Sequence, residues 1–349
     1  MADQTVSSLF TQSISSEQIV IGEQDREILR RLAGRMAELA ARPIENEKRD
    51  LWYRHNALQE TRPVVFCDPE NGWNEIITEE QMECSGELAR GWEMTLRKEI
   101  FWADSMGDDR VVDAVFNVAH VYEESDWGMH ETVHRTVSHG SYRWEPPLKS
   151  YDSLDKLHFS TITVDYPASE KLLALAQDTF ADIIEVRQKT MWWWTLGMTW
   201  TLINLRGLTQ VMMDMYDHPQ QLHQVMGILR DGHLAKLDFL EENGLLSLNT
   251  ENTYVGSGGF GFTRELPQDD FDGHKVRTID MWGFCESQET VGVSPELFEE
   301  FVFPYQAPIM QRFGLNCYGC CEPLHTRWHL IKKMPKLRRV SVSPWADLE

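Results

Sequence analysis

The sequence predicts an α/β fold made of parallel strand–helix units. Three observations lead there. From about residue 245, short apolar or β-branched runs alternate with amphipathic stretches over short connections. The stretches carry helix punctuation, Ser294-Pro295 at one start and Gly244 after one end. The chain has 349 residues, 42% of them hydrophobic, and no fixed-period repeat or low-complexity tract, so it can fill a substantial core without being a solenoid.

Along the chain, residues 16–54 place Ile28, Leu29, Leu32, Met36 and Leu39 at helical spacing. A helical arm, residues 1–60, is therefore expected ahead of a strand–helix domain at 61–349. Residues 62–68 (RPVVFCD) are β-branched and bounded by a proline and an acidic turn, the pattern of a first strand. Helix is expected over 79–100 and a strand excursion within 111–124. Residues 125–167 are rich in His, Trp, Tyr, Pro and Ser without sustained periodicity, and predict a long excursion or lid. Helix follows at 170–180, strand at 183–194, helix at 196–216 up to the stop Asp217-His218-Pro219, and helix at 219–243. Strands are then expected at 245–249, 278–284, 314–320 and 337–342, with helices at 295–312 and 322–334.

Charge narrows the partners. With 33 basic against 55 acidic side chains the net charge is −22, a field that repels phosphate backbones and anionic lipid. Nucleic acid and membrane are thus not expected partners, while small molecules and proteins remain. The six cysteines (Cys67, Cys84, Cys285, Cys317, Cys320, Cys321) are too few and too clustered for a disulfide framework and point to a reducing compartment. Residues 1–18 hold no basic stretch followed by an apolar one, so a cytoplasmic location is expected. The most apolar run, 191–205, falls short of the ~20 residues that cross a bilayer, and is core or pocket material.

Several motifs invite chemistry and are better explained without it. HETVH, with His130, Glu131 and His134, matches a zinc-protease pattern that works on a helix face. Its flanks predict no helix, and His139 comes one residue early for the extended form, so it reads as a chance match in a His-rich surface segment. The run GSGGFG (256–261) lacks the lysine and hydroxyl of a phosphate loop and reads as a flexible rim loop through which backbone approaches a ligand. Trp192, Trp193, Trp194 and Trp200 are expected mostly in the core, with an aromatic-walled cavity as the lesser reading.

The strongest constellation is LNCYGCCEPLH (315–325), which sets three thiols and a carboxylate where a predicted strand ends. Zinc suits such donors. Strand alternation puts Cys317, Gly319 and Cys321 on one face and Tyr318, Cys320 and Glu322 on the other, so one face alone can meet a metal unless the chain turns at Cys320. Buried structural cysteines are the competing explanation. Two further strand ends carry polar groups: Cys285, Glu286, Gln288 and Glu289 after one, and residues 250–254 (TENTY) after another.

Together DMWGFCESQETVGVSPELFEEFVFPY (280–305), LNCYGCCEPLH and KMPKLRRVSVSPWAD (333–347) resemble the uroporphyrinogen decarboxylase superfamily, and within it the corrinoid-dependent methyltransferase branch. The similarity is clearest from about Trp192 and extends back to Arg62. It implies a (β/α)8 TIM barrel. True decarboxylases of the family hold porphyrinogen carboxylates with an arginine-rich segment near the first strand; here RPVVFCDPENGW offers one arginine and two acids, so decarboxylation is not expected. The methyltransferase branch binds zinc through His and Cys, often as His-x-Cys where Tyr318-Gly319-Cys320 stands. The resemblance therefore gives Cys320 the ligand role, with Tyr318 replacing the histidine. Cys321, Glu286 or Glu251 would supply the other donors, and His325 is a lesser choice. By this count the chain is truncated after about six strands, too few to close eight, so the rest of the barrel would come from missing sequence or from another chain. Open strand edges would favour a homo-oligomer.

The expectation is a cytoplasmic, zinc-dependent methyltransferase of an anaerobic demethylation system. It would move a methyl group from a small methyl ether or amine, possibly aromatic, to cobalt in a separate corrinoid protein. Cys320, Cys321, Glu251 and Glu286 are the expected metal donors. Glu286 and Glu289 are the expected catalytic acids, and Tyr254, Trp282, Gln288 and Tyr318 are expected to shape the substrate site. The alternatives are a decarboxylase-like enzyme without metal and a non-catalytic barrel that binds a ligand or corrinoid protein.

Overall fold

Proline divides the helix expected near the amino terminus. In a computed structural model that describes residues 14–130, 132–135, 142–257 and 259–348, α1 (Glu23–Ala40) ends at Ala41 and α2 (Pro43–Asn56) begins with Pro43. A proline has no N–H for the helix ladder, but that loss is harmless at the first helical position. Both helices pack against later segments. Leu29, Leu32 and Met36 of α1 share a core with Trp92, Phe116, Leu172 and Phe180. On α2, Trp52 packs edge-on against Phe260, and the Asn56 amide donates to the carbonyls of Phe260 and Phe262 at 2.9 and 2.8 Å.

The strand expected at 62–68 does not form a ladder. Asp109 accepts from Val65 N and pairs with Arg62, while Asp108 accepts from Cys67 N. Two carboxylates thus satisfy backbone groups that a neighbouring strand would otherwise take. After a single helical turn, α3 (Trp73–Ile76), comes α4 (Glu87–Phe101), which starts later than the expected 79.

The next unit is a parallel one. β1 (Val115–Val118) pairs in parallel with β6 (Glu185–Gln188), Asn117 opposite Arg187, and α5 (Tyr166–Phe180) leads into β6. Asp165 caps α5 by accepting from Ala168 N. Between them, β2 (Tyr122–Glu124) falls in the expected strand segment 111–124 and pairs antiparallel with β5 (Ile162–Val164) of the expected excursion, which also carries the hairpin β3 (Thr132–Arg135) with β4 (Tyr142–Glu145). His134 is therefore on a strand, not on a helix beside His130, which removes the geometry the HETVH motif needs. Glu131, His139 and Gly258 lie outside the described residues, as do residues 1–13.

Three helices follow: α6 (Thr199–Arg206), α7 (Leu208–Asp217) and α8 (Pro219–Glu242). Gly244, at φ +65°, turns the chain away from α8 as expected. The last layer is a parallel sheet in the order β7 (Trp282–Cys285), β8 (Leu315–Tyr318), β9 (Leu337–Val340). Its crossover helices are α9 (Pro295–Phe301) with α10 (Phe303–Met310), and the short α11 (Trp328–Ile331). The helix expected at 295–312 breaks at Val302, whose backbone is not helical. Every residue of β7 and β8 is buried, the mark of a parallel sheet covered on both faces.

The α/β expectation holds, and the described ladders form a two-stranded and a three-stranded parallel sheet and two two-stranded antiparallel ones, with no closed barrel among the described residues. Residues 245–249 make no ladder. Instead the Asn249 side chain accepts from Trp282 N and donates to Trp282 O, both at 2.9 Å, and occupies the edge of β7. Leu196 N donates to Phe284 O farther along that edge. No described helix is long and apolar enough to cross a membrane.

Candidate functional site

At the carboxyl end of β8 the chain turns at Gly319, one residue earlier than the alternation argument allowed. Its φ of +94° is open to glycine, and a Cβ there would stand 2.7 Å from the Leu324 side chain. The turn ends the strand period, so Cys320 and Cys321 leave the sheet together and their sulfurs lie 3.6 Å apart. Ser257 donates to the Cys320 sulfur at 2.8 Å. Burial pushes the Cys320 thiol up to about 12, helped by Cys321 and Glu286 and opposed by the Ser257 hydroxyl. Cys321 is exposed.

Glu322 fixes this turn to the end of β7. It is buried, with one carboxylate oxygen accepting from Ser287 N at 2.9 Å and the other from Cys320 N at 2.8 Å. Glu286, also buried, accepts from Gln288 N at 2.9 Å. Burial, with the charges of Glu289 and Glu322 added, pushes its carboxyl well above the usual carboxylate range. Glu289 accepts from the Thr199 hydroxyl at 2.7 Å. Gln288, Glu289, Cys321 and Trp345 line an open groove of about 570 Å³.

A second, smaller cavity of about 260 Å³ has aromatic walls. Trp192, Trp193 and Trp194 all line it, because residues 191–194 are not a strand and alternation does not divide them. Trp194 stacks on Tyr254 at 5.4 Å between ring centroids and meets Phe284 edge-on. Gly256 lines the same wall, and a Cβ there would lie 2.2 Å from the Phe284 ring. Gly259 and Gly261 are close in the same way, to Trp52 and to the Asn249 carbonyl, so these three glycines are packed where the sequence predicts a flexible rim. Trp200, the fourth tryptophan of the run, is exposed.

The expected site residues separate into groups. Cys320 and Cys321 are adjacent, and Cys320 responds to the charge of Glu286. Gln288 and Glu289 border the groove beside Cys321; Tyr254 and Trp282 border the aromatic cavity. Tyr318 is fully buried, its hydroxyl 2.7 Å from Gln306 Oε1 and 3.2 Å from Ser287 Oγ, and it lines neither space. Glu251 faces Arg187 at 3.3 Å. The His325 Nδ1 atom accepts from Asp347 N.

Sequence reasoning missed Lys189, which follows β6 directly and lines the aromatic cavity. Its position at a strand's carboxyl end was the available signal, but in the polar stretch 185–190 it resembles a solvated strand end. It missed Gln306 as well, whose amide donates to the carbonyls of Gly197 and Glu286.

Two thiolates on one tetrahedral zinc, each at about 2.3 Å, stand about 3.8 Å apart. The 3.6 Å separation of Cys320 and Cys321 therefore suits a shared soft cation. Among the described residues no group of three or more His, Cys, Asp and Glu side chains converges to hold a metal. Comparison with protein-family models, with curated proteins and with solved structures finds no match.

Proposed function

We propose that this chain is a methyltransferase of the uroporphyrinogen decarboxylase type, built on a (β/α)8 barrel. It passes a methyl group from a small aromatic or otherwise apolar methyl ether or amine to the cobalt of a separate corrinoid protein. The observation that carries this reading is the pair of thiols turned out of the sheet at the carboxyl end of β8, where barrel enzymes gather their chemistry.

Cys320 and Cys321 would hold zinc. When bound, zinc supplies Lewis acidity toward the heteroatom that carries the methyl group. Trp194, Tyr254 and Trp282 provide apolar walls that orient a flat substrate and exclude water. The Glu286 carboxyl, pushed up by burial, would supply a proton to the heteroatom as it loses the methyl group. Glu289, held by Thr199, stands beside Cys321 at the open groove.

Elemental analysis combined with a donor panel tests the proposal. About one zinc per chain, lost in Cys320→Ser, and methyl transfer to cob(I)alamin from at least one methyl ether or amine are expected. Metal-free protein with undiminished transfer would remove the thiols from the chemistry. No transfer from any donor would remove the activity itself.

A further inference from the structure

Cys320 and Cys321 are neighbours in the chain, and their sulfurs are already in contact at 3.6 Å. A disulfide bond is about 2.05 Å long, so closing the gap takes about 1.5 Å of side-chain rotation. Cys321 is exposed and opens on the groove lined by Glu289 and Trp345, where a small oxidant reaches it from solvent. The backbone beneath the pair is held while the side chains turn, because Glu322 accepts from Cys320 N at 2.8 Å and from Ser287 N at 2.9 Å. Cys84, Cys285 and Cys317 are buried, which shields a thiol from oxidants. Among the described residues this pair joins an accessible thiol to a second thiol in contact with it.

Adjacency decides what kind of bond the pair can make. The peptide between them is trans, which sets the two Cα atoms about 3.8 Å apart, short of the ~4.4 Å at which ordinary disulfides begin. A bond formed there is strained and readily reduced. It also closes no loop of chain, so it adds little to stability. Exposed, strained disulfides are the labile ones, suited to a reversible mark and not to a structural staple.

We propose that Cys320 and Cys321 form a redox modification site, at which a peroxide joins the two adjacent sulfurs in a reversible disulfide. The exposed Cys321 sulfur attacks one oxygen of hydrogen peroxide; the O–O bond breaks, water leaves, and Cys321 becomes a sulfenic acid. The Cys320 sulfur then attacks the Cys321 sulfur, the S–O bond breaks, and a second water leaves with the Cys320 proton. Two thiols lose two electrons and two protons, and the peroxide takes them to become two waters. In the reverse direction two molecules of a small thiol return the electrons and leave as their own disulfide. Ser257, which donates to the Cys320 sulfur at 2.8 Å, steadies that sulfur as it departs. The inference rests on the proposed function in one respect: a disulfide offers no thiolate to a metal, so oxidation releases the zinc of that reading and reduction restores its site.

Peptide mapping by mass spectrometry tests the site. The full chain, both as purified and after a chelator has removed metal, is treated with hydrogen peroxide, and the thiols that remain are alkylated. The peptide that holds Cys320 and Cys321 should be lighter by two hydrogens and carry no alkyl group, and excess glutathione should return it to the dithiol. Cys320→Ser should abolish the bond and leave Cys321 as a sulfenic acid that dimedone captures several-fold more than in the native chain. Should Cys320→Ser fail to fold, Cys321→Ser, changed at an exposed position, must also lose the bond. Both sulfurs alkylated after peroxide, oxidation to sulfinic acid without the bond, or a bond that excess glutathione leaves intact would overturn the proposal. The bond is read in metal-free protein. Its absence alongside zinc-dependent methyl transfer therefore rejects the redox site and leaves the transferase reading standing, and its presence in a chain that takes up no zinc does the reverse.

Discussion

The Cys320 and Cys321 sulfurs lie 3.6 Å apart because Gly319, with φ of +94°, takes the chain out of β8 one residue before them. In a continued strand adjacent side chains would point to opposite faces. The turn therefore creates the thiol pair.

Gly319→Ala should destabilise the protein by more than about 1 kcal/mol, since the new Cβ meets Leu324 and the backbone stays in the left-handed region. Urea denaturation gives the size of the loss. Zinc retention should fall with it, and an alanine variant as stable and as zinc-loaded as the native chain would contradict the role assigned to the turn.

Cys321→Ser should leave stability within about 0.5 kcal/mol, because the side chain is exposed. Its zinc content should nonetheless drop. Thermal denaturation of the metal-free protein and metal analysis after dialysis separate the two effects, and a full zinc complement in the variant would rule out Cys321 as a donor.

Asn249→Ala should cost about 1–3 kcal/mol by leaving the Trp282 N–H and carbonyl at the edge of β7 without their partner. Amide exchange at Trp282 is the direct readout. Protection equal to that of the native chain would mean another group had taken the edge.

Asp214 is buried between Arg206 at 2.7 Å, the Tyr151 hydroxyl at 2.6 Å and Gln210 at 2.8 Å. Burial pushes its carboxyl up, but these hydrogen bonds and the Arg206 charge outweigh burial and hold it below the usual aspartate range. A depressed folded-state value contributes stability above the unfolded value near 3.8 and loses it as pH falls through the folded one. Asp214→Ala should cost roughly 3–5 kcal/mol at neutral pH by stranding the Arg206 charge, and the gap from the native chain should narrow below pH 3.8. A gap that stays constant into acid would show that charge is not the cause.

Arg206 also reaches the carbonyls of Leu148 and Lys149, each at 2.8 Å, so the same network fastens the 125–167 excursion to α6 and α7. Sequence gave no sign of this, since the partners lie about sixty residues apart. The excursion was visible only as lost periodicity.

Local pattern determined most of the helices, the parallel strand–helix grammar and the clustering of thiols and acids. Gly244 and Ser294-Pro295 act through the chain's own backbone, so their effects could be read in line, whereas the break at Pro43 in the amino-terminal helix was missed. The tertiary structure decided whether an extended segment became a strand. At 62–68 and 245–249 the side chains of Asp108, Asp109 and Asn249 bond backbone that a ladder would otherwise use. It also decided which polar groups met: it buried Tyr318 against Gln306, turned Glu251 toward Arg187, and placed Lys189 among tryptophans. A carboxylate or ammonium carries no mark in sequence of the partner that will satisfy it. That partner is set by packing between segments far apart along the chain, and the cost of burying a charge without one makes the choice consequential.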